Sequence, residues 1–264
     1  MDLQLQGKRA LVTGSTAGIG FAIAAELARE GARVVVNGRT GERVDEARRR
    51  IEEQHPGAQV TGAAADLSTA EGAERLIDAC PDADILVNNV GIFEPRPFEQ
   101  IADADWLRFF ETNVMSGVRL SRHYLAGMRG RDWGRVVFIS SESGINIPAE
   151  MIHYGVTKSA QISLARGLAE TTTGTGVTVN SVLPGPTLSE GVGTFVRQLA
   201  VEQGVTAKEM EMRFFETARP SSLLKRFIDP EEVAHLVAYV CSPLSSATNG
   251  AALRAEGGVV RSML

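Results

Sequence analysis

The chain has 264 residues, 44% hydrophobic and 6% aromatic with 27 glycines, which suits one sizeable α/β domain and argues against a disordered or fibrous protein. Its formal net charge of −5 offers no general basic field, so neither nucleic acid nor an anionic membrane is expected as a partner. Cys80 and Cys241 are too few for a disulfide framework or a Cys-based metal site, and no basic leader or apolar run of spanning length occurs; a soluble, cytoplasmic protein is expected. From the amino end, residues 9–13 read as a strand, 19–29 as a helix and 33–37 as a valine-rich strand. A charged helix over 42–53 stops near Pro56-Gly57, and strands follow at 59–64, 85–88 and 136–140. A helix begins near Ile152, a strand covers 177–182, Pro230 opens a late helix, and 251–255 closes the series as a strand. This βαβ alternation predicts a doubly wound parallel sheet with helices on both faces, right-handed crossovers, and ligands at the carboxyl ends of the strands. No repeat or linker interrupts it, so residues 1–264 are read as a single domain.

The first strand runs into Thr13-Gly14-Ser15-Thr16-Ala17-Gly18-Ile19-Gly20 and then a helix. Glycines there permit a tight turn and a close backbone approach, so a pyrophosphate can sit at the positive helix terminus. Three residues, not one, separate Gly14 from Gly18, a departure from the common dinucleotide fingerprint. The second strand ends Asn37-Gly38-Arg39-Thr40, without the carboxylate that selects NAD by holding the ribose hydroxyls. Glycine leaves room, and Arg39, helped by Ser15 or Thr16, can hydrogen-bond a 2′-phosphate, which favours NADP(H) while leaving NAD(H) admissible. The plainer reading makes Arg39 one more exposed cation beside Arg48-Arg49-Arg50, itself read as a solvated helix face.

Tyr154-Gly155-Val156-Thr157-Lys158 puts a phenol and an ammonium one helical turn apart. Half-ionising a free tyrosine at neutral pH costs roughly 4 kcal/mol, and a fixed neighbouring cation lowers that cost. Such a pair can give a proton to a developing alkoxide or take one from an alcohol. Taken alone, it is more simply a helix-surface pair. The four histidines, at 55, 123, 153 and 235, show no metal-ligand spacing, and no metal is assigned. His153 adjoins Tyr154 but points about 100° away on the helix, so a structural role is expected. Cys241 shares a buried helical stripe with Val233, Val237 and Val240 and reads as core.

Thr13-Gly-x-x-x-Gly18-Ile19-Gly20, Asn88-Asn89-Val90-Gly91, Asn113, Ser141, Tyr154-x-x-x-Lys158 and Pro184-Gly185, in that order, resemble the short-chain dehydrogenase/reductase family from Gly7 to Glu256-Gly257-Gly258. Val90 departs from the usual alanine, with an effect expected on packing alone. The resemblance implies about seven parallel strands, a nicotinamide cofactor, and a homo-oligomer, dimer or tetramer, built partly from paired long helices. Tyr154 would be the proton donor and acceptor. Lys158 would bind the nicotinamide ribose and lower the tyrosine pKa. Ser141 would hydrogen-bond the substrate carbonyl, and Asn113 would hold a water that links Lys158 to solvent. Along the cofactor, Asp66 and Leu67 would lie near the adenine, Asn88 and Gly91 on the ribose side, Ile19 under the nicotinamide, and Pro184, Gly185 and Thr187 near its carboxamide. Simpler roles stay open: a polar helix break for Asn113, a loop cap for Ser141, a helix cap for Asp66 near Ser68, and satisfaction of buried backbone for Asn88.

Residues 188–227, between the Pro-Gly turn and the late helix, read as a helical substrate lid. Val192, Phe195, Val196 and Leu199 form one apolar stripe, and Met210, Phe214 and Phe215 a second; they either line a roomy pocket or pack the lid onto the body or a neighbouring subunit. The leading function is an NADPH-dependent reductase of a ketone or aldehyde, or the reverse alcohol oxidation. Reduction of a 3-oxoacyl thioester on carrier protein is the runner-up, weakened by Thr175 where a docking arginine is typical. A dinucleotide-binding regulator without turnover is the alternative from another class. An intact Asn113, Ser141, Tyr154 and Lys158 set favours the enzyme.

Overall fold

The computed structural model describes residues 1–263, apart from the side chains of Glu190, Phe195 and Leu199. Seven strands form one parallel sheet: β1 (Arg9–Val12), β2 (Arg33–Gly38), β3 (Gln59–Ala64), β4 (Ile85–Asn88), β5 (Gly134–Ile139), β6 (Val177–Pro184) and β7 (Ala252–Ala255). Their order is β3-β2-β1-β4-β5-β6-β7, with Val12 in register with Val36 on one side and Val87 on the other. The order reverses between β1 and β4, so the connections leave these two strands toward opposite faces and open a crevice at their carboxyl ends. Every residue of β4, β5 and β6 is buried, as strands covered by helices on both faces are.

Helices α1 (Gly18–Arg29), α2 (Gly41–Gln54) and α9 (Pro230–Cys241) cover one face through a core that includes Ile23, Leu27, Val237 and Cys241. The other face carries α3 (Ala70–Ala79), α5 (Ser116–Gly130) and α6 (Ile152–Glu170), with Leu76, Leu120 and Ala165 against the sheet. Between β4 and α5 lie α4 (Asp103–Phe110) and one π-helical turn, Glu111–Met115, with Asn113 at its centre. The polar break expected at Asn113 is therefore a widened turn inside a continuous helical path. Two further helices, α7 (Glu190–Glu202) and α8 (Ala207–Thr217), form the segment after the Pro184-Gly185 turn. Their shared core holds Val196, Ala200, Met210, Phe215 and Phe227. Thr206 with Glu209, and Asp229 with Glu232, make reciprocal capping boxes that start α8 and α9.

Candidate active site

The crevice is built from the strand ends upward. Gly14 (φ +59°) and Gly18 (φ +56°) turn the chain from β1 into α1 in the left-handed region that glycine adopts freely. A Cβ on Gly20 would fall 2.4 Å from both Gly14 O and Asn89 Nδ2, so α1 can approach the strand ends only with glycine there. Asn89 donates from Nδ2 to Thr13 O (2.9 Å) and Gly14 O (3.0 Å), and its N–H donates to Thr13 Oγ1 (2.9 Å), tying β1 to β4 at the switch point. No side chain caps α1 and no acid lies in its first turn, so its leading N–H groups face a cavity of about 570 Å³. Ala17, Gly18, Ile19, Gly20, Arg43 and Gly91 contribute to its wall. This is a cradle that fits a pyrophosphate.

A second cavity, of about 440 Å³, shares Ile19, Asn89, Gly91 and Ser189 with the first. Ser141, Tyr154 and Lys158 line it together with Pro184, Gly185 and Thr187. Ser141 follows β5 directly. Its Oγ accepts from Ser143 N–H at 3.1 Å, as the loop-cap reading holds, and Ser141 lies close enough to the Tyr154 hydroxyl to pull its pKa down. Lys158 is buried, with Nζ 5.6 Å from the centre of the Tyr154 ring, donating to Ile139 O (2.9 Å) and Gln161 Oε1 (3.1 Å). A Cβ on Gly91 would sit 3.3 Å from that Nζ, so the glycine keeps the ammonium's approach clear.

Asn113 is 1% exposed. Its Oδ1 accepts from Ile92 N–H (2.7 Å), and its Nδ2 donates to Ile92 O (3.0 Å) and Thr157 Oγ1 (2.9 Å). The side chain thus staples the loop after β4 to α6. Its carbonyl accepts from Gln161 Nε2 (2.5 Å), whose other end holds Lys158 Nζ. The Gln161 amide thus bridges the Asn113 backbone carbonyl and the Lys158 ammonium, because it lies one turn beyond the lysine on the same helix face.

Burial dominates both titrating groups. It pushes the Tyr154 phenol up to about 12, against the pull of Ser141, and draws the Lys158 ammonium down to about 7. Burial thus drives both groups toward their neutral forms. Glu142, next to Ser141, is also pushed up by burial, against the attraction of Arg219. Arg219, from the end of the α8 segment, donates from Nε to Glu142 Oε1 (2.8 Å) and from Nη1 to Glu150 Oε1 (3.1 Å), joining lid to body.

The lid residues Val192, Val196, Met210, Phe214 and Phe227 line the second cavity, and all five also belong to the lid's own apolar cluster. These side chains thus line the cavity and also pack on one another within the 188–227 segment. Phe195 and Leu199 of the first stripe lie outside the described side chains.

Several sequence-assigned cofactor residues point elsewhere. Ser15 is fully buried: its hydroxyl donates to Val12 O (2.7 Å) and accepts from Asn37 N–H (3.0 Å), so it pins β1 to β2 and has no reach to a phosphate. Leu67 is 2% exposed in the second core, which takes its side chain away from an adenine. Asn88 turns toward α5, donating to Ser121 Oγ at 3.2 Å. Asp66 accepts from the N–H and hydroxyl of Ser68, and the cap of α3 is Thr69 instead. Gly38 does not leave the room supposed for it, since a Cβ there would lie 2.4 Å from Thr16 Cγ2. Arg39 is exposed and is not among the residues lining either cavity. His153 packs 4.0 Å from the Phe109 ring, away from the cavity, as its helical phase requires. Sequence reasoning assigned no role to Arg43, Asn89, Glu142, Gln161 or Arg219; of these only Asn89, inside the Asn88-Asn89-Val90-Gly91 motif, and Glu142, next to Ser141, carried a signal.

A parallel sheet with a glycine turn at its switch point, and a Ser–Tyr–Lys cluster in the adjoining cavity, defines the class of dinucleotide-binding oxidoreductases. The model of the short chain dehydrogenase family matches residues 8–200, and the chain belongs to the short-chain dehydrogenase/reductase family. It is 54% identical to "Uncharacterized oxidoreductase YvaG" of Bacillus subtilis over 263 residues, covering 100% of both chains. Identity to the D-beta-hydroxybutyrate dehydrogenase of Cupriavidus necator is 33%, over 97% of this chain and 99% of that one. Among solved structures, L-sorbose reductase from Gluconobacter frateurii, complexed with NADPH and L-sorbose, superposes with a TM-score of 0.94 at 31% identity, covering 100% of both chains.

Proposed function

We propose that this protein is an NADPH-dependent reductase of a ketone or aldehyde, with Tyr154, Ser141, Lys158 and Asn113 as its catalytic set. The observation that carries the reading is that Ser141, Tyr154 and Lys158 line one cavity, which shares Ile19, Asn89, Gly91 and Ser189 with the glycine-turn crevice. When bound, the reduced nicotinamide supplies a hydride. The chain's own residues do the rest. Ser141 and Tyr154 both hydrogen-bond the carbonyl oxygen, and as negative charge develops there Tyr154 gives up its proton, which ends on the alcohol. A phenol held near 12 is fully protonated at working pH, which suits reduction. Lys158 stabilises the resulting phenolate and reaches the nicotinamide ribose across Gly91. Asn113 and Gln161 fix the position of Lys158.

The cofactor's phosphates fit the Gly14 to Gly20 turn, with Thr16 beside it and Ile19 at the boundary of the two cavities. Pro184, Gly185 and Thr187 border the nicotinamide end. Arg39 and Arg43, with no acid at the end of β2, favour the 2′-phosphate of NADP, in keeping with the NADPH complex of the sorbose reductase. We place the protein in the cytoplasm as a homo-oligomer, to which exposed Leu107 and Phe110 on α4 would contribute apolar contact.

The test is NADPH and NADH oxidation against ketones, aldehydes and acyl thioesters. Turnover of a ketone or aldehyde is expected, with NADPH preferred about 10- to 100-fold, the worth of a charged hydrogen bond. Turnover of thioesters alone would return the assignment to the carrier-protein reductase. Tight NADPH binding without any turnover would make the protein a dinucleotide-dependent regulator.

A further inference from the structure

The cavity beside Tyr154 holds one cation that the proton transfer does not use. Arg219, just after α8, is 7% exposed and is the only guanidinium among the described residues lining that cavity. Two of its three nitrogens are committed. Nε donates to Glu142 Oε1 at 2.8 Å, while Nη1 donates to Glu150 Oε1 at 3.1 Å and to Ala218 O at 2.8 Å, which uses every N–H on those two atoms. Nη2, with two N–H groups, donates to no described residue. Nor is this nitrogen sealed off inside the protein. A donor left unpaired on a buried cation costs more than one on a neutral group, and a molecule in the cavity can supply the acceptor.

The surroundings hold this nitrogen in place and keep it charged. Bonds to Glu142, Glu150 and Ala218 fix the planar guanidinium, so a ligand that meets Nη2 has little side-chain freedom to freeze out. Burial opposes the charge on Arg219, yet Glu142 and Glu150 outweigh it and hold the group above its ordinary value. That charge is also felt at the reacting centre: burial pushes the Tyr154 phenol up, and Arg219 is among the groups that pull it back. A carbonyl compound seated on Tyr154 therefore shares its cavity with a fixed cationic donor. An oxygen acceptor satisfies such a donor with a charge-assisted hydrogen bond, whereas a plain alkyl chain leaves it unmet.

We propose that the substrate is a carbonyl compound with a second oxygen acceptor, an ester or carboxylate group, and that Arg219 Nη2 binds that oxygen while the reacting carbonyl lies on Tyr154 and Ser141. The inference rests on the reductase reading above. Arg219 is then a substrate-binding residue contributed by the lid, and its bonds to Glu142 and Glu150 aim Nη2.

The experiment compares kcat/KM, with NADPH, for 2-heptanone, for the ethyl esters of 2-oxopropanoate, 3-oxobutanoate and 4-oxopentanoate, and for the corresponding free acids. The chain lengths sample the separation of the carbonyl from Nη2, and ester against acid separates a neutral acceptor from a charged one. On the parent, the best-fitting ester or acid should exceed 2-heptanone by about 10- to 100-fold, the worth of a hydrogen bond to a charged group. Arg219→Lys keeps a cation beside Glu142 and Glu150 but lacks the third nitrogen, and Arg219→Gln serves as the second variant; each should shrink that ratio severalfold or more. Dividing the parent ratio by the variant ratio cancels differences in intrinsic carbonyl reactivity, and general damage to the fold would lower all substrates alike without moving the ratio. Equal kcat/KM for 2-heptanone and every ester and acid on the parent would overturn the proposal even if neither variant folds. Ratios that both substitutions leave unchanged would overturn it too. Should the parent turn over none of these compounds yet reduce other carbonyls, the acceptor assignment falls while the reductase reading stands; silence toward every carbonyl removes both.

Discussion

At the scale of single residues, the free site stores its tension in Lys158. The folded-state pKa of about 7 lies below the ordinary 10.5, so the cost of charging this buried group is fully present below pH 7 and fades as pH rises toward 10.5. The melting-temperature difference between Lys158→Met and the parent, measured without cofactor, should therefore move against the variant as pH rises from 6 to 10. A pH-independent difference would place the ammonium in contact with solvent. Gln161 holds that ammonium through Oε1 while its Nε2 is fixed on the Asn113 carbonyl. Hydrogen bonding to the charged form favours it, so Gln161→Leu should move the Lys158-governed limb of the pH–kcat profile to lower pH and Gln161→Glu to higher pH. A merely packed glutamine would leave that limb where it is. Lys158 was legible from its spacing to Tyr154 and Asn113 from the family resemblance, but Gln161 lay one turn further on, outside any quoted motif. Its role depends on where the π-turn delivers a backbone carbonyl, which no local pattern encodes.

The elements carry cofactor choice and substrate size. Replacing Gly38 by aspartate, the obvious way to install an NAD-selecting acid, would force a Cβ within 2.4 Å of Thr16 Cγ2 and confound any change in preference with strain. The cleaner comparison is Arg39→Leu with Arg43→Leu, each expected to weaken NADPH binding while leaving NADH affinity in place, by up to about 10- to 100-fold. Equal losses for both cofactors would put these arginines on the shared phosphates instead. In the lid, Phe214 stacks on Phe227 at 5.1 Å between ring centres and faces the cavity. Phe214→Ala should lower kcat/KM for bulky ketones by about tenfold or more, since full burial of such a side chain is worth about 1.5–3 kcal/mol, and should affect small ketones much less. Uniform effects on both would reduce the lid to packing.

Across the whole molecule, what the sequence revealed divides by the range of the interactions involved. Strand–turn–helix alternation and the glycine turn are local, and β1 to β7 fall within a residue or two of their expected bounds. The start of α9 at Pro230 was likewise open to view. Less visible was the fate of side chains that meet only in three dimensions. Ser15 and Leu67 occupy positions a cofactor could have claimed, yet the sheet and the second core take both. Glu142 and Arg219, 77 residues apart, become partners only when the lid folds over the body. Among the described residues no helix is long and apolar enough to cross a membrane.

The central claim is that Tyr154 delivers the proton in a carbonyl reduction. It is tested most directly by Tyr154→Phe, assayed for NADPH oxidation with a ketone that the parent reduces and, on the same preparation, for NADPH affinity. The substitution removes the transferable proton and one hydroxyl while keeping the ring. Turnover should fall by at least about 10²- to 10⁴-fold, the contribution of a positioned general acid, with NADPH affinity changed little. Near-parental turnover by Tyr154→Phe would contradict the account.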